Sequence, residues 1–357
     1  VTLYLQKDQQ SYLLGPGGAH CTASPVETTV HASYPASEDA DYLYVTSTSG
    51  IAHGDYVGIE LDDGTLQWDT AYMPANDRDG VCESQARVFA GSLVINGDLT
   101  TGGVARCGQP RLITVYSAND NRGQIFTITG TDYTGAALTD TITGPNAGET
   151  VSGTKYFGTV TAVSTNAGCS GFVEVGVGDV NIVLAAVILP IAGTLDDDAA
   201  AGNAVFSYTD KIRRPLDIIE ARYCTSENHE RPLTPMDAAA YKWLTIKSTS
   251  GQALQYYHDP QLTNSVLYVW PVCDDVSARI KMTVKTPVDD LDQITDNAQF
   301  PVEWLEAIIY NLALRLAPEY GVVPMPEVKE MAIVSKAAAV GFDRGTLPVQ
   351  FIPAVEW

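Results

Sequence analysis

The groups that could do chemistry are five histidines (His20, His31, His53, His229, His258), six cysteines (Cys21, Cys82, Cys107, Cys169, Cys224, Cys273) and three carboxylate runs. The runs are Asp62-Asp63, Asp196-Asp197-Asp198 and Asp289-Asp290 with Asp292. Hydrolysis or acyl transfer needs a nucleophile beside a base, or two carboxylates in one cleft, and such sites leave recognisable spacings. The chain has no GxSxG, no Walker loop and no HExxH, and Gly176-Val177-Gly178 lacks the third glycine and following helix of a dinucleotide site. The histidines are too dispersed to predict a catalytic or metal site. The cysteines show no CxxC spacing, so they are expected as free, partly buried thiols suited to a cytosolic assembly site. The one pairing to consider joins Cys82 to Cys107 or Cys169. No carboxylate run matches a twelve-residue calcium loop, so solvated turns are expected, with a cation bridging subunits as the alternative. Tyr256, Tyr257, Tyr268 and Trp270 could stack on sugar, but Tyr268 and Trp270 share one strand face, as residues packing a core or a neighbouring subunit do. The expectation is no enzyme, no catalytic residue, no cofactor and no metal.

Composition narrows the remaining classes. The 357 residues include 43 acids and 21 bases, a net charge of −22, which argues against wrapping nucleic acid. With 45% apolar and 18% charged residues, the chain can bury real cores. The longest apolar stretch, Val180 to Gly193, is short for a membrane helix and contains Pro190, so it reads as a buried strand pair and no membrane segment is predicted. The opening VTLYLQKDQQSYL alternates like a strand, and residues are expected upstream of it.

The elements that must position any site are mostly strands. Residues 1–209 hold 23 acids and 7 bases and are rich in Gly, Thr, Ser and Val in short alternating runs. Asp63-Gly64 predicts a two-residue hairpin turn between Ile59–Leu61 and Leu66–Trp68. After Thr70 the pattern breaks, and Ala200–Tyr208 reads as the closing strand of the same small domain. The block between carries strands at Ser92–Ile95, Arg111–Tyr116, Gln124–Thr129, Ala137–Ile142, Lys155–Val163 and Phe172–Val177. Pro215–Tyr223 is the next strand. A short helix is predicted with Thr234 as N-cap and Pro235 at its first position, running through Trp243. Strands Leu254–His258, Ser265–Trp270 and Ala278–Thr286 follow. A helix opening at Phe300–Trp304 and ending near Pro318 is predicted to bury Trp304, Ile308, Leu312 and Leu316. A second runs from Pro326 to Val340 and is stopped by Gly341. FDRGTLPVQFIPAVEW reads as an extended arm whose Phe351, Ile352, Val355 and Trp357 want a partner.

The fold class is therefore α+β, mainly β with a C-terminal helix pair and a nested β-sandwich insertion. The parts are a β/α body at 1–20 plus 210–300, a small β-domain at 21–71 plus 190–209, the insertion at 72–189, a helical segment at 301–341 and the arm at 342–357.

The stretch Phe300-Pro301-Val302-Glu303-Trp304-Leu305-Glu306-Ala307, running into Asn311-Leu312-Ala313-Leu314-Arg315-Leu316-Ala317-Pro318-Glu319-Tyr320-Gly321, resembles the C-terminal helix pair of head-to-tail adaptor proteins of short-tailed phages, also called packaged-DNA stabilisation or tail accessory proteins. Arg214-Pro215-Leu216, Tyr256-Tyr257-His258-Asp259-Pro260 and Leu267-Tyr268-Val269-Trp270-Pro271 look like the β-part of virion proteins of the same neck region. The likeness covers about residues 210–340. Val1–Leu14 is similar to the strand that follows a pair of N-terminal helices in such proteins. Cys21 to Tyr208 is not part of the minimal family, and its inner block looks like β-domains that recur in unrelated phage proteins. The resemblance implies a homo-oligomeric ring of twelve copies beneath the portal protein, closing the head and receiving tail nozzle or tail-fibre proteins. It places the chain in the virion neck and, during assembly, in the host cytoplasm. DNA would pass through the channel without specific binding, since an acidic wall repels phosphate. The alternatives are a tail nozzle or tube protein, a glycan- or receptor-binding virion module, and a glycan hydrolase.

Overall fold

The structure, a computed structural model, describes residues 1–225, 227–276, 278–287 and 301–343. The chain divides into two compact units, Val1–Pro287 and Val288–Trp357. The first opens with β1 (Thr2–Tyr4), β2 (Ser11–Leu14), β3 (Cys21–Thr22), β4 (Val26–Thr29), β5 (Tyr42–Tyr44) and the hairpin β6 (Tyr56–Glu60) and β7 (Leu66–Thr70). Next come β8 (Asp77–Ala86), β9 (Gly91–Ser92), β10 (Thr100–Thr101), β11 (Val104–Ser117), β12 (Ile125–Thr131), β13 (Ala137–Thr143), β14 (Glu149–Thr165) and β15 (Phe172–Val180). The chain returns through α1 (Ile182–Ala185), β16 (Ile188–Pro190) and β17 (Ala204–Tyr208). It completes the unit with β18 (Asp217–Cys224), β19 (Glu230–Pro232), β20 (Thr234–Pro235), α2 (Ala238–Trp243), β21 (Gln255–Asp259), β22 (Ser265–Trp270) and β23 (Arg279–Lys285). The second unit holds a 3-10 turn (Val302–Trp304), α3 (Leu305–Leu316) and α4 (Pro326–Asp343). The protein is α+β and mainly β, with a C-terminal helix pair.

Strand alternation sorts the side chains onto separate cores. In β22, Leu267 and Val269 are buried while Tyr268 and Trp270 point to the other face. Leu267 and Val269 join Leu3, Tyr12, Tyr223 and Ile280 in one core, shared by the sheet β19-β18-β23-β1-β3 and the sheet β2-β22-β21-β20. A second core, with Leu43, Val57, Ile59, Leu189 and Val205, belongs to the sheet β4-β17-β6-β7 and the β16-β5 pair. Here β17 pairs with both β4 and β6, strands more than a hundred residues earlier in the chain. The chain leaves this core at Ala71 and comes back at Ile191, and these two residues form a bridge.

The run between them is one eight-stranded sheet on a third core. Its long strand β14 pairs with β11 over residues 149–160 and with β12 over residues 159–165. Strand β11 breaks register between Arg106 and Arg111, at Gly108 with φ +71°. A side chain there would meet Pro74 and the Tyr72 carbonyl at 2.6 Å, so glycine is required. Phe126 and Ile142 from one end of the sheet share the core with Val81 and Val173 from the other, so the sheet closes over itself in a sandwich-like way.

Several sequence-based expectations need correction. Val1–Leu14 makes two strands in different sheets, separated by a turn with Asp8 at φ +58°. Val180–Gly193 is not a strand pair. Asn181 caps α1 by accepting the Leu184 N–H (3.4 Å), and Ile182 and Val183 are exposed. The Asp63-Gly64 turn is longer than two residues. Leu61 N–H donates to Thr65 O, Gly64 N–H donates to Leu61 O, and Gly64 has positive φ whereas Asp63 does not. Asp63 instead accepts the Thr65 N–H (2.7 Å). Thr234 and Pro235 lie in β20, parallel to β21, and the N-cap of α2 is Asp237, which accepts the Ala240 N–H at 2.7 Å. The Ser92–Ile95 strand shortens to β9, and Gly341 lies inside α4 instead of ending it. Strand β8 was not expected, because DRDGVCESQA buries only its centre, Gly80 to Cys82.

Candidate assembly surfaces

The helix pair is held by small side chains. Ala307 on α3 and Ala332, Ser335 and Ala339 on α4 are its buried residues, and Asn311 Nδ2 donates to Ala307 O (2.7 Å) and Ala332 O (3.1 Å). Of the expected helical core, Trp304 and Ile308 are half-buried, but Leu312 and Leu316 are 51% and 37% exposed. The reason is geometric: α3 turns the Ala307–Asn311 line toward α4, which leaves the larger Leu305, Ile309, Leu312 and Leu316 on the far face. Both lines recur at helical spacing, and the alanines gave no apolar signal. The Ala332, Ser335, Ala339 spacing of three and four was readable and marks close helix contact. At the α3–α4 turn, Leu316, Tyr320, Val323, Met325 and Val328 line an open apolar hollow of about 380 Å³. Phe351, Ile352, Val355 and Trp357 lie outside the described residues, as do Asp289, Asp290 and Asp292.

A second apolar surface lies where the inserted sheet is furthest from its linkers. Strand β8 starts at the Tyr72–Asn76 linker and ends at Ala86, opposite Phe172. Beyond it Val88 and Phe89 are 80% and 79% exposed, and Phe172 is 61% exposed. The sequence reading missed Val88 and Phe89, which follow a strand it did not detect. At the near end two arginines of β11 hold the linkers. Arg111, almost fully buried, donates to Asn76 Oδ1 (2.6 Å), Gly178 O (3.2 Å) and Pro74 O. Arg106 pairs with Asp41 (2.8 Å) and donates to Ile191 O and Ala192 O.

The aromatic cluster of the body is covered by its own chain. Tyr257 and Tyr268 stack at 5.6 Å, Tyr241 of α2 lies 4.8 Å from Tyr268, and Trp270 Nε1 donates to Ile246 O. The carboxylate runs cap loops. Asp62 Oδ1 accepts the Ala200 N–H and Asn203 Nδ2, and Asp198 Oδ1 accepts the Glu38 N–H. Among the described residues, no three of His, Cys, Asp and Glu gather into a metal-binding group, and all six cysteines are unpaired. A polar hollow of about 420 Å³ is lined by Glu27, Thr29, Thr46, Glu60 and Arg279. Arg279 is engaged there by Glu27 and by Asn228 Oδ1 (2.6 Å), tying β23 to β4. Burial raises the Glu60 pKa, which acceptance of the Ala204 N–H partly offsets.

The buried histidine is likewise structural. Burial lowers the His20 pKa to about 4, opposed by its backbone contact with Tyr4, and the neutral Nδ1 accepts the Trp68 Nε1–H at 3.2 Å. The carboxylates at 62 and 198, the aromatic cluster and His20 thus form packed or capped structure. No helix in the described residues is long and apolar enough to cross a membrane. No protein-family model, curated protein or solved structure matches this chain.

Proposed function

We propose that the chain is a structural virion protein, the head-to-tail adaptor of a short-tailed phage. It forms a ring beneath the portal, closes the DNA-filled head and gives the tail its docking platform. The observation that carries the reading is the helix pair. Residues 301–321 of the stretch that resembles the adaptor family fold as α3 and its flanks, and their large apolar side chains, Leu305, Ile309, Leu312 and Leu316, are left exposed while alanines make the contact with α4. Uncovered apolar lines of this kind mark surfaces that are buried on assembly. In this reading Phe351, Ile352, Val355 and Trp357 of the arm engage the portal or the next copy, the acidic channel lets DNA slide, and no reaction is catalysed. Mixing the chain with portal-bearing, DNA-filled heads and averaging images of the neck tests it. A ring under the portal, twelvefold by the resemblance, is expected; a chain that never joins the neck overturns it. A sixfold ring further down the tail would point to a nozzle or tube protein.

A second reading, a receptor- or glycan-binding virion module, is favoured by the exposed Val88, Phe89 and Phe172. Binding of the chain to a glycan array, lost in Phe89→Ala, would select it.

A further inference from the structure

Strand β5 turns Leu43 into the second core and leaves Tyr42 and Tyr44, both half-buried, on its other face. Tyr44 lies 5.7 Å from Tyr42 and 4.8 Å from Tyr34, a loop residue 54% exposed, and His31 lies 5.3 Å from Tyr34. The turn between β12 and β13 brings Tyr133 beside Tyr42, so three distant segments deliver four tyrosines to one place. None of the four hydroxyls makes a hydrogen bond among the described residues. Burial, with Tyr42, Tyr133, Tyr34 and Asp132 adding to it, pushes the Tyr44 pKa up to about 12, and Tyr42 is raised as well, so both hydroxyls stay neutral donors.

At the Tyr42–Tyr133 end this aromatic face opens into a polar hollow of about 150 Å³, lined also by Asp41, Arg106, Thr131, Asp132 and Thr159. The hollow has the volume of about five waters. Its polar groups are each held by one contact and keep another to offer. Arg106 pairs with Asp41 Oδ2 at 2.8 Å, which leaves Oδ1. Asp132 Oδ1 accepts the Thr134 and Ala136 N–H groups, which leaves Oδ2. The Thr131 and Thr159 hydroxyls, 2.7 Å apart, use one hydrogen between them and retain the other. We propose that this face binds a neutral saccharide, with one ring in the hollow and the next on Tyr44 and Tyr34. A sugar ring has an apolar C–H face, which packs on an aromatic ring, and a rim of hydroxyls that both donate and accept. The hollow supplies both kinds of partner beside the tyrosines, already fixed in place. Two carboxylates against one guanidinium, on a chain of net charge −22, disfavour an acidic sugar or a phosphate. A proline-rich peptide also lies on tyrosines, but it has no hydroxyls to meet the carboxylates and threonines of the hollow. The site lies wholly in the first unit, goes beyond the adaptor reading and does not depend on it.

The full chain is tested on an array of neutral, sialylated and uronate-bearing oligosaccharides, and the strongest neutral binder is titrated by calorimetry. Binding confined to neutral glycans is expected. Tyr34→Ala and Tyr133→Ala should each weaken it about tenfold, as should Thr131→Val, which keeps the shape and removes the hydroxyl. Their melting temperatures should match the parent, and Phe89→Ala should bind as the parent does. No neutral glycan bound, or binding lost in Phe89→Ala but kept in the tyrosine variants, overturns the site. So does tyrosine-dependent binding of decaproline without any glycan, which would assign the face to a proline-rich peptide. A chain that binds glycan here but never joins a phage neck would sink the adaptor reading alone.

Discussion

The Asp140 carboxylate on β13 accepts the Thr154 N–H of β14 at 2.7 Å, on the stretch of β14 that pairs with β11 and away from Val163, the β14 residue level with Asp140 through β12. The Lys155 N–H (3.1 Å) and Thr141 N–H (2.9 Å) also donate to it, and Thr154 Oγ1 adds a fourth contact. Gly153 makes room, since a Cβ there would lie 2.5 Å from Asp140 Oδ2. A carboxylate that joins β13 to this distant stretch of β14 holds the inserted sheet curled.

Asp140→Asn should therefore destabilise the insert by about 1–3 kcal/mol, because an amide presents an N–H₂ to backbone donors. Burial pushes the Asp140 pKa up, but the N–H donors outweigh it and leave it below the ordinary value. The unfolded state then binds the proton more readily. This stabilisation is present above about pH 3.9 and is lost as pH falls through the folded pKa. Urea melts of parent and variant should converge at the acid end; a constant gap down to the lowest pH would show that the ionised carboxylate is not the cause.

His20 acts in a higher pH window. Its folded pKa of about 4 lies below the unfolded value of about 6.5, so the unfolded state binds more protons between these limits. Stability should fall as pH drops from about 6.5 to about 4, by about 3 kcal/mol in all. His20→Gln should flatten that limb while leaving the one below pH 4. An unchanged slope in the variant would assign the loss to other groups.

The difference between what could and could not be read from sequence follows from which interaction decides each element. Strong local signals placed β22 to the residue, because Ser265–Trp270 is a run of β-branched, aliphatic and aromatic residues with both faces occupied. The Ala204–Tyr208 strand was readable as a return to an earlier domain, since its apolar run had no partner nearby. Strand β8 was not, because its pairing to β15 and its buried centre come from tertiary contact, while Asp77, Arg78, Asp79 and Glu83 hide the alternation. Thr234-Pro235 carries a good helix-start signal, yet the Thr234 N–H donates to Leu254 O and the start moves to Asp237. On α3 the apolar line was legible but its direction was not, since facing depends on the alanines of α4.

That direction can be checked by substitution. Leu312→Ala should change the stability of the helix pair in the unassembled chain by less than about 1 kcal/mol, well short of the 2–5 kcal/mol of an enclosed leucine. Ala332→Leu, at a residue only 1% exposed, should cost about 1–3 kcal/mol by forcing the helices apart. Helix-specific hydrogen exchange reads both. The reverse order of effects would restore Leu312 to the core.

The inserted block offers the last test. Residues 72–189 have a core of their own, and the chain enters and leaves beside the Ala71–Ile191 bridge, so excision cuts the linker contacts and the pairing of β16 with β5, which takes Leu189 out of the second core. Expressed alone, the block should melt cooperatively. Its weakest point should be the linker end, where Arg111 satisfies Asn76, Gly178 and Pro74 together. Arg111→Met removes these donors and leaves buried acceptors unpaired, at about 1–3 kcal/mol for each group that water cannot reach. In the full chain the same substitution should open the Tyr72–Asn76 linker to proteolysis before the sheet core is lost. A block that stays unfolded alone, while the remainder also fails to fold, would mean that the two parts form one inseparable domain. Equal protection of the linker in Arg111→Met and parent would show that the arginine does not hold it.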